Sequence, residues 1–342
     1  SSFALQWAEL SALVYGNPHG TIPEKFSSLQ EEINCIFTNW VTDYYASLIN
    51  LPPSTPTMVH HIPRFLSRQL EGGKAKKIAL IVIDGLSLGQ WVTVKHNLQK
   101  QDRSFIFRDS AIFAWIPTLT SISRQSIFSG KPPLYFPNSI YSTNSEEKLW
   151  KQFWQDQGLE KQEIAYKRSL GNSDIKVSLD AVINPHKTTI AGIVIDTIDK
   201  IMHGMQLGAL GMHNQIDQWC RTGYLKDTCD YLDALGYEVW ITSDHGNIEA
   251  QGIGRISEGT IADSRGERVR VYPNKELRMI SASHSGLTIL WDTKGLPDEF
   301  FPLIADRNTA FIKEGTTTVS HGGISIEEVI VPLIKIERNT RR

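Results

Sequence analysis

Two kinds of hydrophobic pattern follow one another along this chain. Up to about residue 50, apolar side chains recur at helical spacing. Phe3, Leu5, Trp7, Leu10 and Leu13 form one run, closed by Gly16-Asn17-Pro18; Leu29, Ile33, Ile36, Phe37, Trp40 and Val41 form a second within 26–51. Leu51-Pro52-Pro53-Ser54-Thr55-Pro56 has the composition of a linker. The expectation is a helical region and linker over 1–55 and a second domain over 56–337. Short, continuous apolar runs then take over, at 78–83, 111–115, 189–195, 238–242, 287–291 and 329–336. Runs that do not alternate are the mark of strands buried on both faces. Helical patterns at 86–98 and 215–235 separate them. The predicted fold class is α/β, a three-layer α/β/α sandwich around a mostly parallel sheet. The polar, Gly-rich stretch 252–277 reads as a long loop or small excursion over the site.

Composition narrows this picture only in places. With 342 residues, 41% hydrophobic and 21% charged, the chain can bury a core without staples, as one large domain or two ordinary ones. A net charge of −2 gives no global electrostatic case for gripping nucleic acid. Three cysteines, Cys35, Cys220 and Cys229, with no CxxC pair, argue against a disulfide framework and for a reducing, cytoplasmic setting. No apolar run is long enough for a membrane span, and no signal peptide is visible. The chain begins Ser-Ser-Phe in mid-pattern, as a piece of a longer protein would.

The chemistry gathers where the apolar runs stop. Ile241-Thr242-Ser243-Asp244-His245-Gly246-Asn247 places an acid and an imidazole at the carboxyl end of a strand, where open α/β sheets build their sites. The pair offers an oxygen and a nitrogen ligand to a divalent metal, although Asp-His-Gly also makes a serviceable turn. Asp84-Gly85 ends an earlier run and reads either as a ligand or as the cap of the helix that follows. Asp196 ends another; beyond it Asp199 and His203 lie four apart, on one face of a helical turn. His321-Gly322-Gly323 adds an imidazole beside glycines that permit close approach. Four such turns in one chain are hard to explain as caps alone. The segment 116–130, Ile-Pro-Thr-Leu-Thr-Ser-Ile-Ser-Arg-Gln-Ser-Ile-Phe-Ser-Gly, is dense in hydroxyls and opens a short helix; a hydroxyl there can cap the helix or, beside a metal, act as nucleophile. Arg265-Gly266-Glu267-Arg268 is either surface charge or a source of guanidinium groups for an anionic substrate.

In this order, Asp84-Gly, Pro117-Thr118-Leu119-Thr120, Asp199 to His203, Asp244-His245-Gly and His321-Gly-Gly resemble the alkaline phosphatase superfamily. The wording of 117–124, 127–130, 266–272 and 320–332 is similar to a PglZ domain, over about 56–337. PglZ proteins belong to BREX bacteriophage-defence systems, and related domains occur in response regulators. The resemblance implies two divalent metal ions, zinc before manganese. One would take Asp84, Thr120, Asp244 and His245; the other would take Asp199, His203 and His321. Thr120 matches the nucleophile, with Thr118 and Ser121 as its neighbours, Asp196 as a substitute ligand and His284 unassigned. Met202 stands where the family often has a small residue.

The function expected from this is metal-dependent hydrolysis of a phosphodiester, nucleotide or nucleic acid, with Arg124 or Arg265 holding a non-bridging oxygen. The expected partners are an oligonucleotide or DNA substrate and other BREX proteins, with no membrane. Two alternatives keep the scaffold: a catalytically weak, phosphatase-like module in a defence complex, or a phosphatase or phosphomutase of the same superfamily. A sulfatase fits less well, because the hydroxyl segment holds no Cys.

Overall fold

The computed structural model describes residues 2–17, 21–171, 174–256, 264–283 and 286–339. Its helices are α1 (Ser2–Tyr15), α2 (Glu24–Leu48), α3 (Ile62–Glu71), α4 (Leu88–Gln101), α5 (Thr120–Ser129), α6 (Glu146–Asp156), α7 (Ile175–Asp180), α8 (Thr197–His203), α9 (Gly208–Arg221), α10 (Tyr224–Ala234), α11 (Lys275–Ser283) and α12 (Ile326–Val329). Its strands are β1 (Ile78–Ile83), β2 (Phe105–Phe113), β3 (Ile164–Leu170), β4 (Ile190–Ile195), β5 (Glu238–Thr242), β6 (Ile248–Gly252), β7 (Ser264–Arg265), β8 (Val269–Tyr272), β9 (Thr288–Leu290), β10 (Phe301–Ala305), β11 (Thr309–Ala310), β12 (Thr317–Ser320) and β13 (Ile330–Arg338).

The runs Ile-Ala-Leu-Ile-Val-Ile and Ile-Ala-Gly-Ile-Val-Ile become β1 and β4, buried at every residue. They lie inside a six-stranded sheet of order β2-β13-β5-β1-β4-β3. β1 runs parallel to β4 and β5, and β4 parallel to β3; β13 alone is antiparallel, inserted between β5 and β2. Helices contact one another in two groups, α1, α4, α9 and α10 in one and α3, α5 and α6 in the other, as a sheet covered on both faces requires. The expected mostly parallel α/β architecture is therefore the one found. Gly192 shows how tightly one face is covered, since a Cβ there would stand 2.9 Å from the Trp150 ring.

Three local readings change. The run at 111–115 is the end of a longer strand, β2, whose first half carries Arg108 and Asp109. The pattern at 215–235 is two helices, broken at Gly223, whose φ of 80° ends α9 and starts α10. The excursion at 252–277 is partly regular: β7 and β8 join β10 and β9 in a four-stranded sheet, with a small core of Tyr272, Leu303, Ala305 and Phe311. The N-terminal helices share the main core through Trp7, Phe26, Val41, Tyr45 and Leu48. The Tyr45 hydroxyl donates to Ala114 O and accepts from Ile116 N, so residues on both sides of the 51–56 linker are joined by hydrogen bonds as well.

Candidate metal centre

β1, β4 and β5 end side by side, and each end turns with a carboxylate. After β1, Asp84 N still donates to Ile195 O at 2.9 Å, and Gly85, at φ 75°, turns the chain. Gly85 N donates to Asp244 Oδ1 at 3.1 Å, and Asn247 Nδ2 donates to Gly85 O at 2.7 Å, which ties the turn after β1 to the turn after β5. Asn247 is held in turn by Gln90, the capping-box partner of Ser87 at the start of α4. Gly246 has no room for a side chain: a Cβ would lie 1.9 Å from Glu327 O. After β4, α8 carries Asp199 and His203 at its two ends. Asp196, at its N-terminus, pairs with Lys200 at 2.9 Å.

His321 follows β12, and its loop is built around two buried residues. Thr118 Oγ1 donates to Gly323 O and accepts from Gly322 N, both at 2.9 Å. Glu328 accepts from Gly323 N, Ser325 and Arg268, so Arg268 anchors this loop and does not face a substrate. Arg270 likewise donates to the backbone oxygens of Gly266 and Val269. The side chain of Arg265, and His284, lie outside the described residues.

These turns bring two sets of ligand atoms together: Asp84, Asp199 and His245 in one, and Asp199, His203 and His321 in the other, each within 4.8 Å. Asp244 adjoins the first set, its Oδ2 being 3.5 Å from His245 Nε2. The rings of His245 and His321 stack at 3.9 Å. Both histidines use Nδ1 on a backbone carbonyl, His245 donating to Gly246 O at 2.9 Å and His321 to Thr118 O at 2.7 Å. A carbonyl only accepts, so both Nδ1 atoms carry a proton, and Nε2 is the atom left for the site. Thr120, the first residue of α5, sets its Oγ1 3.0 Å from His245 Nε2. Ser121 is turned away, donating to Ile140 O.

The electrostatics are those of crowded negative charge. Burial, and then the neighbouring Asp244 carboxylate, push Asp84 well above the usual carboxylate range despite Arg124. Burial lifts Asp244 to about 6. Burial also raises Asp199, but the facing imidazoles of His203, His245 and His321 outweigh it and leave Asp199 below its ordinary value. His203 is raised by its contact with Asp199, while burial and then His245 lower His321 to about 3. Asp84 Oδ1, Asp199 Oδ1 and Asp244 Oδ2 are all buried and accept no hydrogen bond.

Arg124 differs from the expectation of a group open to a substrate oxygen. Its guanidinium is buried, with one nitrogen on Asp84 and another on Glu146, each at 2.6 Å. Sequence reasoning missed Glu146, Asn247, Gln90 and Glu328. Ser325-Ile-Glu-Glu328 has the capping-box spacing and was the one available signal for Glu328.

Fold comparison extends the picture. The chain is similar to murine ectonucleotide pyrophosphatase/phosphodiesterase 5, at 10% identity and a TM-score of 0.55 over 75% of this chain and 87% of that one. An inactive threonine-to-alanine form of the same murine protein, in complex with AMP, matches at 11% identity and a TM-score of 0.54 over 76% and 87%. The human protein matches at 11% identity and a TM-score of 0.50 over 75% and 87%. No curated protein matches the chain. Sheet order and these neighbours define the fold, one shared with ectonucleotide pyrophosphatase/phosphodiesterase 5. Residues 63–336 match the BREX system PglZ alkaline phosphatase-like domain. That is most of the chain, and the protein belongs to the PglZ family.

Proposed function

We propose that this chain is a metal-dependent phosphodiesterase with Thr120 as nucleophile, working in the cytoplasm beside other BREX proteins. One observation carries the reading. Two histidines that donate Nδ1–H to backbone carbonyls and turn Nε2 to the site meet three buried carboxylate oxygens that accept no hydrogen bond. Histidines that donate Nδ1–H to a carbonyl and present Nε2 are built as metal ligands are, and buried carboxylate oxygens left without a hydrogen bond call for a cation. The donor set of imidazole and carboxylate suits zinc, with manganese second. Asp84, Asp244, His245 and Thr120 would hold one ion, and Asp199, His203 and His321 the other, with Asp199 near both. Bound there, the ions supply Lewis-acid polarisation of phosphoryl oxygens and favour the ionised hydroxyl.

The chain's own residues do the rest. Thr120 Oγ1 loses its proton to solvent and attacks phosphorus, one ester oxygen leaves and takes a proton from water, and a second water then cleaves the threonine–phosphorus bond to release the phosphomonoester. The first turn of α5 fixes that oxygen beside the donor set. The murine relative, inactive with one threonine changed and bound to AMP in that form, supports a nucleotide-like ester and a threonine at the centre. A monoester dianion needs an added cationic contact at phosphorus, and among the described side chains Arg124, Arg268 and Arg270 are each held by protein groups. Diesters are therefore the expected class, as short oligonucleotides more than long duplex, given the net charge of −2.

Matched nitrophenyl diester and monoester substrates with saturating zinc or manganese test this. The expected result is diester hydrolysis lost on chelation, and a fall of at least about a hundredfold in kcat for Thr120→Val, which keeps the β-branched shape. A monoester preference would move the protein to phosphatase or mutase chemistry. Inactivity on both, without bound metal, would leave a scaffold.

A further inference from the structure

Four buried side chains form an unbroken line from the edge of the sheet to the metal centre. Tyr166 on β3 donates its hydroxyl to Glu146 Oε2 at 2.6 Å. Arg124 on α5 donates to the same oxygen at 2.6 Å and, through its other terminal nitrogen, to Asp84 Oδ2 at 2.6 Å. Glu146, at the start of α6, has no exposed surface, and Arg124 and Asp84 are nearly as deep. Such a network is a poor way to hold a fold together, because well-packed apolar residues of similar volume do so as well or better than buried ion pairs. Its geometry has a more specific effect. A guanidinium is a rigid planar fork, and two carboxylates at its two ends fix both its position and its plane. So held, Arg124 occupies Oδ2 of Asp84 and leaves Oδ1 towards His245, 3.7 Å from Nε2, in the ligand set shared with Asp199. Without Glu146 the fork would keep one anchor, and Asp84 could turn with it.

We propose that Tyr166, Glu146 and Arg124 are positioning residues which hold Asp84 with a single oxygen turned to the metal. This rests on the metal reading above. None of the three belongs to either ligand set. Residues that orient a metal ligand typically contribute 10–100-fold to affinity or activity.

The test measures metal affinity, not turnover. Wild type, Glu146→Gln and Tyr166→Phe are stripped with a chelator, checked for fold by circular dichroism and urea midpoint, and titrated with zinc against a chromogenic chelator. Glu146→Gln is expected to weaken one binding step by about 10- to 100-fold and to leave the other, at Asp199, His203 and His321, close to wild type. Tyr166→Phe is expected to weaken the same step by a smaller factor. Wild-type affinities in a folded Glu146→Gln, or equal losses in both steps, would overturn the proposal while the metal reading stood. A wild type that takes no zinc would remove the metal reading and the proposal with it. If Glu146→Gln does not fold, Tyr166→Phe decides, and affinity equal to wild type overturns the proposal.

Discussion

Thr118 and Thr120 share a segment and a functional group but not an environment. The Thr118 hydroxyl is fully buried and bonded on both sides to the Gly322-Gly323 backbone, whereas Thr120 is half-buried with its oxygen at His245. Valine at 118 should therefore cost stability, about 1–3 kcal/mol for the stranded Gly322 N–H and Gly323 C=O. Valine at 120 should unfold at nearly the wild-type urea concentration. Equal midpoints for the two variants would contradict this division. Sequence alone left the two threonines, and Ser121, as neighbours in one hydroxyl-rich run, because hydroxyls differ by what they touch across the fold. Asp84, Asp244, His245 and His321 stand out in the sequence because each ends an apolar run or sits beside a glycine at an element's end, and Asp199 and His203 because they lie four apart on one helical turn. Glu146 was not. In Ser145-Glu146-Glu147-Lys148 it looks like any solvated first turn, and only the docking of α6 against α5 buries it.

At the scale of elements, α9, α1 and α4 meet at His213. Its ring stacks on Tyr15 at 5.2 Å and its Nδ1 lies 3.3 Å from Thr93 Oγ1. Burial alone lowers this imidazole to about 4, against about 6.5 in an unfolded chain. The unfolded state thus binds the extra proton first as pH falls. The contribution of His213 to stability is complete above about 6.5 and is lost between there and about 4, on the order of 3 kcal/mol in all. Buried Asp244, lifted to about 6, acts in the opposite sense over part of that window, so the difference between wild type and His213→Gln is the quantity to measure. That difference in urea stability should shrink from pH 7 to pH 4.5, and a constant difference would refute the assignment. Central strands were the most readable elements because β1, β4 and β5 are apolar on both faces. β3, with Lys167 and Arg168, lies at the sheet's edge and shows no such run. The two-residue strands β7 and β11 carry too little pattern to be read at all, whereas β9 was readable from the run at 287–291 but belongs to the smaller sheet.

For the whole molecule, the position of β13 sets a clock on synthesis. Apart from one bridge between Phe113 and Met58, β2 has its ladder partner, among the described residues, in β13, and roughly 220 residues separate Phe113 from Ile330. At about 5–20 residues per second, β2 waits on the order of 10–40 s after it is made before the ribosome delivers its neighbour. For that time Phe105-Ile106-Phe107 and Ala111-Ile112-Phe113 belong to a strand that lacks its ladder partner and is tied only at Phe113 to residues 57–58, beside the segment that leads to Thr120. Such a run is prone to pair with another chain. Arg108 and Asp109 interrupt it, and charges placed there act as gatekeepers. In the finished protein Arg108 is exposed and pairs only with Glu337 at the surface, a contact worth little. Arg108→Val should therefore lower the soluble yield from expression several-fold while shifting the stability of the recovered protein by no more than about 0.5 kcal/mol. Comparing yield with urea midpoint separates the two effects, and an unchanged yield would show that β2 is shielded by something other than its own charges. Delivery of β13 is thus what releases the neighbourhood of Thr120 from its most hazardous interval, the time spent as an open edge during synthesis.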